Sequence, residues 1–380
     1  MYYITVRQRP AYRQMTLDEF LFGTQSSKPV LLSKNETNTK TYEVKEISDK
    51  FLQLVDIPHL ITKLIRFNEI YECLRNKPRE DLYYTFHIKK ASGGLRRIDA
   101  PEPELMDALR HLKSIFEEDF GALYHTSAFA YIKKRCTLDA VKRHQSNESK
   151  WFGKYDLSNF FGNTTLDFVM KMFSVVFPFS EVCRYDVGRN ELKKALELAF
   201  YNGGLPQGTP ISPIITNIMM IPIDFTLNKG LRNFNNQNFV YTRYADDFLI
   251  SSKHTFDSKE VERFIVETLA KFEAPFTIKP EKTRYGSSAG RNWNLGVMLN
   301  KDNEITIGHK KKKQFKAMLS AYAMDKKNGK SWDLSDIQIM EGYRNYYRMV
   351  EGENIDAIVN YLSEKFDIDI VKSIKDDLSS

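Results

Sequence analysis

The period of the hydrophobic pattern changes several times along the chain. From Ser48 to Asn76 apolar residues recur at helical spacing, at Leu60, Leu64, Ile65 and Phe67, and predict a helix. Tyr84, Phe86 and Ile88 then alternate with polar neighbours, Gly93 and Gly94 supply a turn, and Leu95 to Ile98 runs back. That pattern predicts a β-hairpin carrying basic residues. Residues 103–120 and 137–146 return to the helical period. Lys154 to Ser158, approached by Trp151 and Phe152, predicts a buried strand, and Phe239 to Ser252 predicts strand, tight turn and strand. Between them SPIITNIMM opens with Ser212 as N-cap and Pro213 at the first helical position. Past residue 300 the period is helical again. Phe315, Met318, Leu319 and Tyr322 form one apolar stripe, and Ile339, Met340, Tyr343, Tyr347 and Val350 form a second.

This order of elements predicts an α+β protein with an antiparallel sheet and a helical appendage. A length of 380 residues suggests two or three packed units. Residues 1–50 are polar and irregular, and Thr24 to Thr41 reads as a loop or linker. Before it, Thr16 and Glu19 form a capping box that opens a short helix. The spacing Gln14, Leu17, Phe20 is similar to that of peptides that dock onto sliding clamps, although a helix packed on the body of the protein is the plainer reading. No apolar run is long enough for a membrane helix and the N-terminus is not a signal peptide, so no membrane partner and a cytoplasmic location are expected.

Composition changes this picture only a little. Hydrophobic residues make up 42% of the chain, which excludes a disordered protein. The net charge of +7 fits a polyanionic partner without requiring one. Cys73, Cys136 and Cys183 lie too far apart for a metal motif or a disulfide framework and read as buried or inert thiols in a reducing cytosol.

The acidic residues carry the chemistry. In YTRYADDFLIS two adjacent acids sit between two β-forming runs. Strand side chains alternate faces, so Asp246 and Asp247 do not both point into one core, but at a hairpin tip both reach the surface. A solvated turn also favours Asp, so this string alone gives even odds. Asp156 shifts the balance, because it stands in an otherwise aromatic and apolar strand, KYDLSNFF, where a carboxylate is costly to bury unless it is paired or binds metal. On neighbouring strands the three carboxylates would converge, and hard oxygen ligands with room for water and phosphate suit Mg²⁺. Two such ions about 3.5–4 Å apart clamp the attacking and leaving oxygens of an in-line phosphoryl transfer.

YADD, the KYDLSNFF strand and GGLPQGTPISPIITN (Gly203 to Asn217) together resemble reverse transcriptases of the bacterial type, the group II intron and retron enzymes, along roughly residues 80–350. The resemblance implies a right-hand polymerase fold: an N-terminal extension at 1–50, fingers at 51–153, a palm with the antiparallel sheet at 154–300, and a helical thumb at 301–380. It implies RNA-directed DNA synthesis from an RNA template, a DNA or RNA primer and dNTPs, with two Mg²⁺ ions held by Asp156, Asp246 and Asp247. Phe161, five residues after Asp156, matches the position beneath the incoming sugar, where a ring would clash with a 2′-hydroxyl. Arg96 matches the fingers Arg that grips the triphosphate, with Lys89 or Lys90 as its partner. Gln207 and Gly208 match the loop under the template and the new base pair. Lys282 in KPEKT matches a lysine near the pyrophosphate; the family often has Asn three residues earlier, where this chain has Lys279. Leu295 and Gly296 resemble the turn that grips the primer end. Lys310, Lys311, Lys312, Lys313 and Lys316 would lie against the duplex backbone.

Departures narrow the class. Retron enzymes usually carry Val-Thr-Gly where this chain has Asn294-Leu295-Gly296, and no Asn-Ala-x-x-His stands between the first acid and the glycine-rich loop. Both point away from a typical retron enzyme. Diversity-generating enzymes usually differ in the GLPQGTPISP block. With no Cys/His nuclease module and no ribonuclease H cluster after the thumb, the expectation is a compact stand-alone bacterial enzyme, a type often associated with anti-phage defence and with a dedicated non-coding RNA. Two rivals share these residues: a template-independent or protein-primed polymerase on the same fold, and a non-catalytic RNA-binding module. Sequencing products made with and without template separates the first, and the intact acids argue against the second.

Overall fold

The computed structural model describes residues 56–379 except 90–92, 121–123, 235–236, 290–292 and 295. The predicted helix around Gln14, Leu17 and Phe20 lies outside the described residues. Two compact units divide the rest. The first comprises the described residues as far as His125, together with Ser158–Thr226 and Glu267–Thr277; the second comprises Thr126–Leu157, Leu227–Val266 and the residues from Ile278 onward.

In the first unit, α1 (Ile57–Ile70) starts where the Asp56 side chain accepts a hydrogen bond from His59 N (3.0 Å), with proline in the first turn. Its predicted stripe is real: Leu60, Leu64 and Phe67 are buried. Asn68 on the same face donates to the carboxylate of Glu191 (2.7 Å) and accepts from Arg75 (2.7 Å), so a buried amide is satisfied where α1 meets a later helix. Strands β1 (Tyr83–Lys89) and β2 (Leu95–Pro101) pair antiparallel with Phe86 opposite Ile98. Gly93 and Gly94 both take positive φ in the connection, as a tight reversal requires. Only the base of this hairpin is buried. Tyr83 stacks on Tyr201 (4.6 Å) and its hydroxyl donates to Leu198 O (3.3 Å), while the alternating Tyr84, Phe86 and Ile88 are exposed. Helix α2 (Pro103–Phe120) follows.

The second unit contains α3 (Thr137–Ser146) and a four-stranded sheet in the order β4-β5-β3-β6: β3 Trp151–Asp156, β4 Val240–Tyr244, β5 Asp247–Ser252 and β6 Arg284–Ser287. All neighbours are antiparallel. The predicted span for β3 is displaced: it begins at Trp151, because Trp151 already pairs with Ser252 and Ser287, and it ends at Asp156. One face of the sheet carries Phe152, Leu249 and Ser251. Phe152 and Leu249 pack with Leu299 from a small three-stranded sheet, β7 (Trp293–Asn294), β8 (Val297–Leu299) and β9 (Ile305–Thr306). Helix α3 lies against β4, β8 and β9 and buries His144 completely, its Nδ1 2.6 Å from Ser251 Oγ and its Nε2 2.8 Å from Thr242 Oγ1. Gln145 and Asn303 exchange amide-to-carbonyl bonds of 2.9 and 3.0 Å.

The unit continues into three helices around their own core. Phe315, Leu319 and Tyr322 are buried as expected, with Met318 packed at the margin. The second stripe differs from expectation. Ile337, Met340 and Tyr347 face the core with Arg344, whereas Ile339 and Tyr343 are exposed. The buried positions advance by three, four and three residues, which holds one face of the helix inward and carries Ile339 and Tyr343 away from it. Cys73 is exposed rather than buried, because α1 has ended before it and the short helix at Glu72–Arg75 buries only Leu74.

Candidate active site

The register of the sheet sets the site. Asp156, the last residue of β3, stands directly opposite Asp247, the first residue of β5, and Leu157 N donates to Asp246 O (3.0 Å). Directly opposed residues project on the same face, so Asp156 and Asp247 share the face whose far end is filled by Phe152 and Leu249. Tyr244 pairs with Asp247, which leaves Ala245 and Asp246 as a two-residue turn. Ala245 takes a φ of 57°. A left-handed conformation at a residue other than glycine costs about 1–3 kcal/mol. Arg243, wholly buried on β4, donates from Nη1 to Ala245 O (3.2 Å) and holds the turn from beneath. This residue was missed in the sequence; a lone arginine among strand residues just before the acidic pair was the signal.

Lysines balance the acids. Lys279 N donates to Asp156 O (2.8 Å), and Lys279 Nζ stands 2.8 Å from Asp156 Oδ1. The chain then turns within one helical step, Thr283 N and Oγ1 both donating to Lys279 O (3.1 Å each), so that Lys282 Nζ also reaches Asp156, 3.1 Å from Oδ2. Lys154, two residues before Asp156, pairs with Asp247 Oδ2 (3.1 Å). Burial pushes the Asp156 carboxyl up, but the ammonium groups of Lys279 and Lys282 outweigh it and hold the group below the usual carboxylate range. Burial dominates at the other two. Asp246 and Asp247 are raised, each also by the Asp156 charge, while Lys154 partly offsets the rise at Asp247.

These residues fit a divalent cation in chemistry. Three carboxylates on one sheet end supply hard oxygen donors, and Asp247 Oδ1 is buried with no hydrogen-bond partner, an atom that a cation would satisfy. As the side chains stand, no group of three His, Cys, Asp or Glu residues among the described residues is arranged to hold a metal ion. The expected convergence is thus of strand ends rather than of free carboxylates, because Asp156 and Asp247 are turned onto lysines.

The first unit gathers a second set of predicted residues. Phe161 lies in α4 (Phe160–Asn163), immediately after the β3 strand end, edge-on to Phe160. Leu205 N donates to Phe161 O (2.9 Å), and a Cβ added at Gly204 would stand 2.1 Å from Gly162 O, so only glycine lets the loop lie against α4. Three residues on, Gln207 and Gly208 are exposed, and Gly208, at a φ of 122°, abuts Ile98 and Asp99 of β2. Arg96 and Lys89 stand at the exposed end of that hairpin; Arg97 beside them is committed to Asp99 (2.8 Å). Lys90 lies outside the described residues. Helix α5 (Leu166–Phe173) follows, and α6 (Ser212–Met219) is entered one residue earlier than expected: Ile211 is the cap residue and Ser212 N is met by Thr209 Oγ1 (3.3 Å).

The chain also resembles known proteins. The profile of the family "Reverse transcriptase (RNA-dependent DNA polymerase)" matches residues 88–318. The chain belongs to the reverse transcriptase family. It is 27% identical to the retron Ec83 reverse transcriptase of Escherichia coli over 80% of this chain and 92% of that protein. It is 26% identical to the Escherichia coli retron Ec73 enzyme over 61% of this chain and 73% of that one, and 25% identical to the Myxococcus xanthus retron Mx162 enzyme over 74% and 60%. Among solved structures it is similar to Candida albicans telomerase in complex with a fragment of telomeric RNA, at 12% identity and a TM-score of 0.45, over 77% of this chain and 54% of that one. It therefore spans about half the length of that telomerase chain.

The reverse transcriptase is thus an RNA-directed DNA polymerase with the α+β right-hand fold of its family. The departures at Asn294-Leu295-Gly296 and at the missing Asn-Ala-x-x-His had pointed away from retron enzymes; likeness to three of them along most of the chain corrects that reading.

In this reverse transcriptase Leu295 lies outside the described residues, while Gly296, at a φ of 89°, turns β7 into β8. The five lysines expected to lie along the duplex divide. Lys311 Nζ donates to Gly296 O (2.7 Å), Lys312 pairs with the buried Glu351 (2.8 Å), and Lys316 lies over the Tyr361 ring (4.4 Å). Lys310 and Lys313 are exposed. No helix among the described residues is long and apolar enough to cross a membrane.

Proposed function

We propose that this chain extends a DNA or RNA primer on an RNA template, with Asp156, Asp246 and Asp247 holding two Mg²⁺ ions. The observation that carries this reading is the direct opposition of Asp156 and Asp247, with Asp247 Oδ1 buried and unsatisfied. When bound, the metals supply Lewis-acid activation of the primer 3′-hydroxyl and neutralise charge on the triphosphate.

The chain's own residues do the rest. Arg96, with Lys89 or Lys90, grips the dNTP triphosphate through its forked donors. The Phe161 ring excludes a 2′-hydroxyl, and Gln207 and Gly208 support the template beneath the new base pair. Lys282 moves a proton to the departing pyrophosphate. Leu295 and Gly296 position the primer end. Lys310 and Lys313 take duplex phosphates, while Lys311, Lys312 and Lys316 shape the turn and helices behind them. In this reading the hairpin and its helices are fingers, the four-stranded sheet is palm and the last three helices are thumb. Likeness to retron enzymes supports a dedicated non-coding RNA as the natural template, and a cytoplasmic role in anti-phage defence.

The test is direct. Purified protein with Mg²⁺, primed RNA and four dNTPs should extend the primer, and Asp246→Asn should slow extension by roughly 100-fold or more while leaving the fold intact. Extension by Asp246→Asn at the normal rate would refute the metal role.

A further inference from the structure

Asp156 is the most enclosed of the three acids, its side chain only 7% exposed, yet two ammonium groups reach it. They are not equivalent. Lys282 is 54% exposed at the rim and approaches both carboxylate oxygens at 3.1–3.2 Å, a position from which its long stem can swing into solvent. Lys279 is 25% exposed and sits 2.8 Å from Oδ1. Its backbone is fixed on both sides. Its N–H is bonded to Asp156 O, and its carbonyl accepts from Lys282 N and from both donors of Thr283. Pro280 follows and restrains the chain further. The Lys279 ammonium is therefore delivered to the carboxylate by the same main-chain contact that aligns β3 with the KPEK turn. With Lys154 on Asp247, three lysine charges meet three aspartate charges at the end of the sheet.

We propose that Lys279 is a resident counter-cation of Asp156 that a divalent metal must displace, so that this side chain sets the Mg²⁺ concentration at which the site fills. The inference rests on the metal reading given above. Its physical basis is competition. A carboxylate oxygen neutralised by an ammonium in a buried setting is stabilised without metal, and its exchange for Mg²⁺ forfeits that pairing. Removal of the charge leaves the cluster one unit more negative and the oxygen open. A second consequence follows: the unmodified protein stays folded without metal, and gains little thermal stability when metal is added.

The test compares the full chain with Lys279→Met and Lys279→Gln, which keep a stem without charge, and Lys279→Arg, which keeps the charge. Calorimetric titration with MgCl₂ reads affinity, and thermal unfolding with EDTA or with MgCl₂ reads the metal-dependent gain in Tm. Both neutral variants should bind Mg²⁺ about tenfold more tightly, should melt lower in EDTA and should gain more on adding Mg²⁺, while the Arg variant stays within about twofold of the parent. Equal Mg²⁺ affinity in parent and neutral variants, with binding and primer extension intact in the parent, would overturn the Lys279 proposal alone. Absence of Mg²⁺ binding and of extension in the parent would instead remove the metal reading on which it stands. Two neutral variants guard against one of them failing to fold.

Discussion

Leu205 N donates to Phe161 O at 2.9 Å, which ties the glycine loop to the short helix that carries Phe161. The neighbouring Gly204 lies so close to Gly162 that no side chain fits between them. Phe161 is thus held at its backbone by a segment more than forty residues further on, while its ring meets Phe160 edge-on. Phe161→Ala should leave the fold intact and raise incorporation of ribonucleotides relative to dNTPs by at least tenfold, on the order of 1.4 kcal/mol. Single-nucleotide incorporation with paired rNTP and dNTP series measures the ratio. An unchanged ratio would remove Phe161 from the sugar gate.

Arg96 stands at the exposed end of the hairpin, while Arg97 beside it is paired with Asp99. A side chain left outside the ion pair serves a ligand at no cost to the fold. Arg96→Ala should raise KM for dNTP about tenfold, since a hydrogen bond to a charged group is worth about 1.5–3 kcal/mol. Steady-state kinetics at fixed primer and template reads this out. Weaker duplex binding with unchanged KM would make Arg96 a backbone contact instead.

The lysines of the proposed thumb predict two different phenotypes. Replacing Lys310 and Lys313 by Met should weaken primer–template binding and lower the slope of log K against log salt by about one per lysine. Lys312→Met should leave that slope alone and destabilise the protein by about 1–3 kcal/mol, because Glu351 remains buried without its cation. Binding isotherms at several salt concentrations and denaturant melts separate the two. A Lys312 variant that lowers the salt slope would return this residue to the duplex contacts.

His144 predicts an acid limb in stability. Burial, with Arg143 adding to it, lowers its pKa from 6.5 to about 3 in the folded protein. Below pH 6.5 the unfolded chain takes up a proton that the native imidazole refuses, so its contribution is complete above pH 6.5 and is lost as pH falls toward 3. The loss is about 1.4 kcal/mol per pH unit for one proton. In His144→Gln, which can still bridge Ser251 and Thr242, the stability curve between pH 6 and pH 4 should be flatter than in the parent by that slope. Parallel curves over this range would show that His144 is already charged in the fold.

Local order was largely legible in the chain. The hairpin at Tyr84 to Ile98, the helices at 103–120 and 137–146 and the strand–turn–strand around Asp246 follow from period and turn residues, which act between near neighbours. The start of β3 at Trp151 was not, because a strand begins where its partners begin, and Ser252 and Ser287 lie about a hundred residues or more away. Nor was the exposure of Ile339 and Tyr343, since a stripe is only as wide as the helices packed on it.

By itself, then, the sequence determined which residues carry charge, ring or glycine at each point, and through their order the polymerase family. Only the tertiary structure decided what those groups meet: Asp156 its two lysines, Arg243 the carbonyl beneath the acidic turn, Lys311 the carbonyl of Gly296. The physical reason is range. Backbone preference is written within a few residues, whereas the partner of a charge is chosen by strand register and helix packing, which join segments the chain itself keeps far apart.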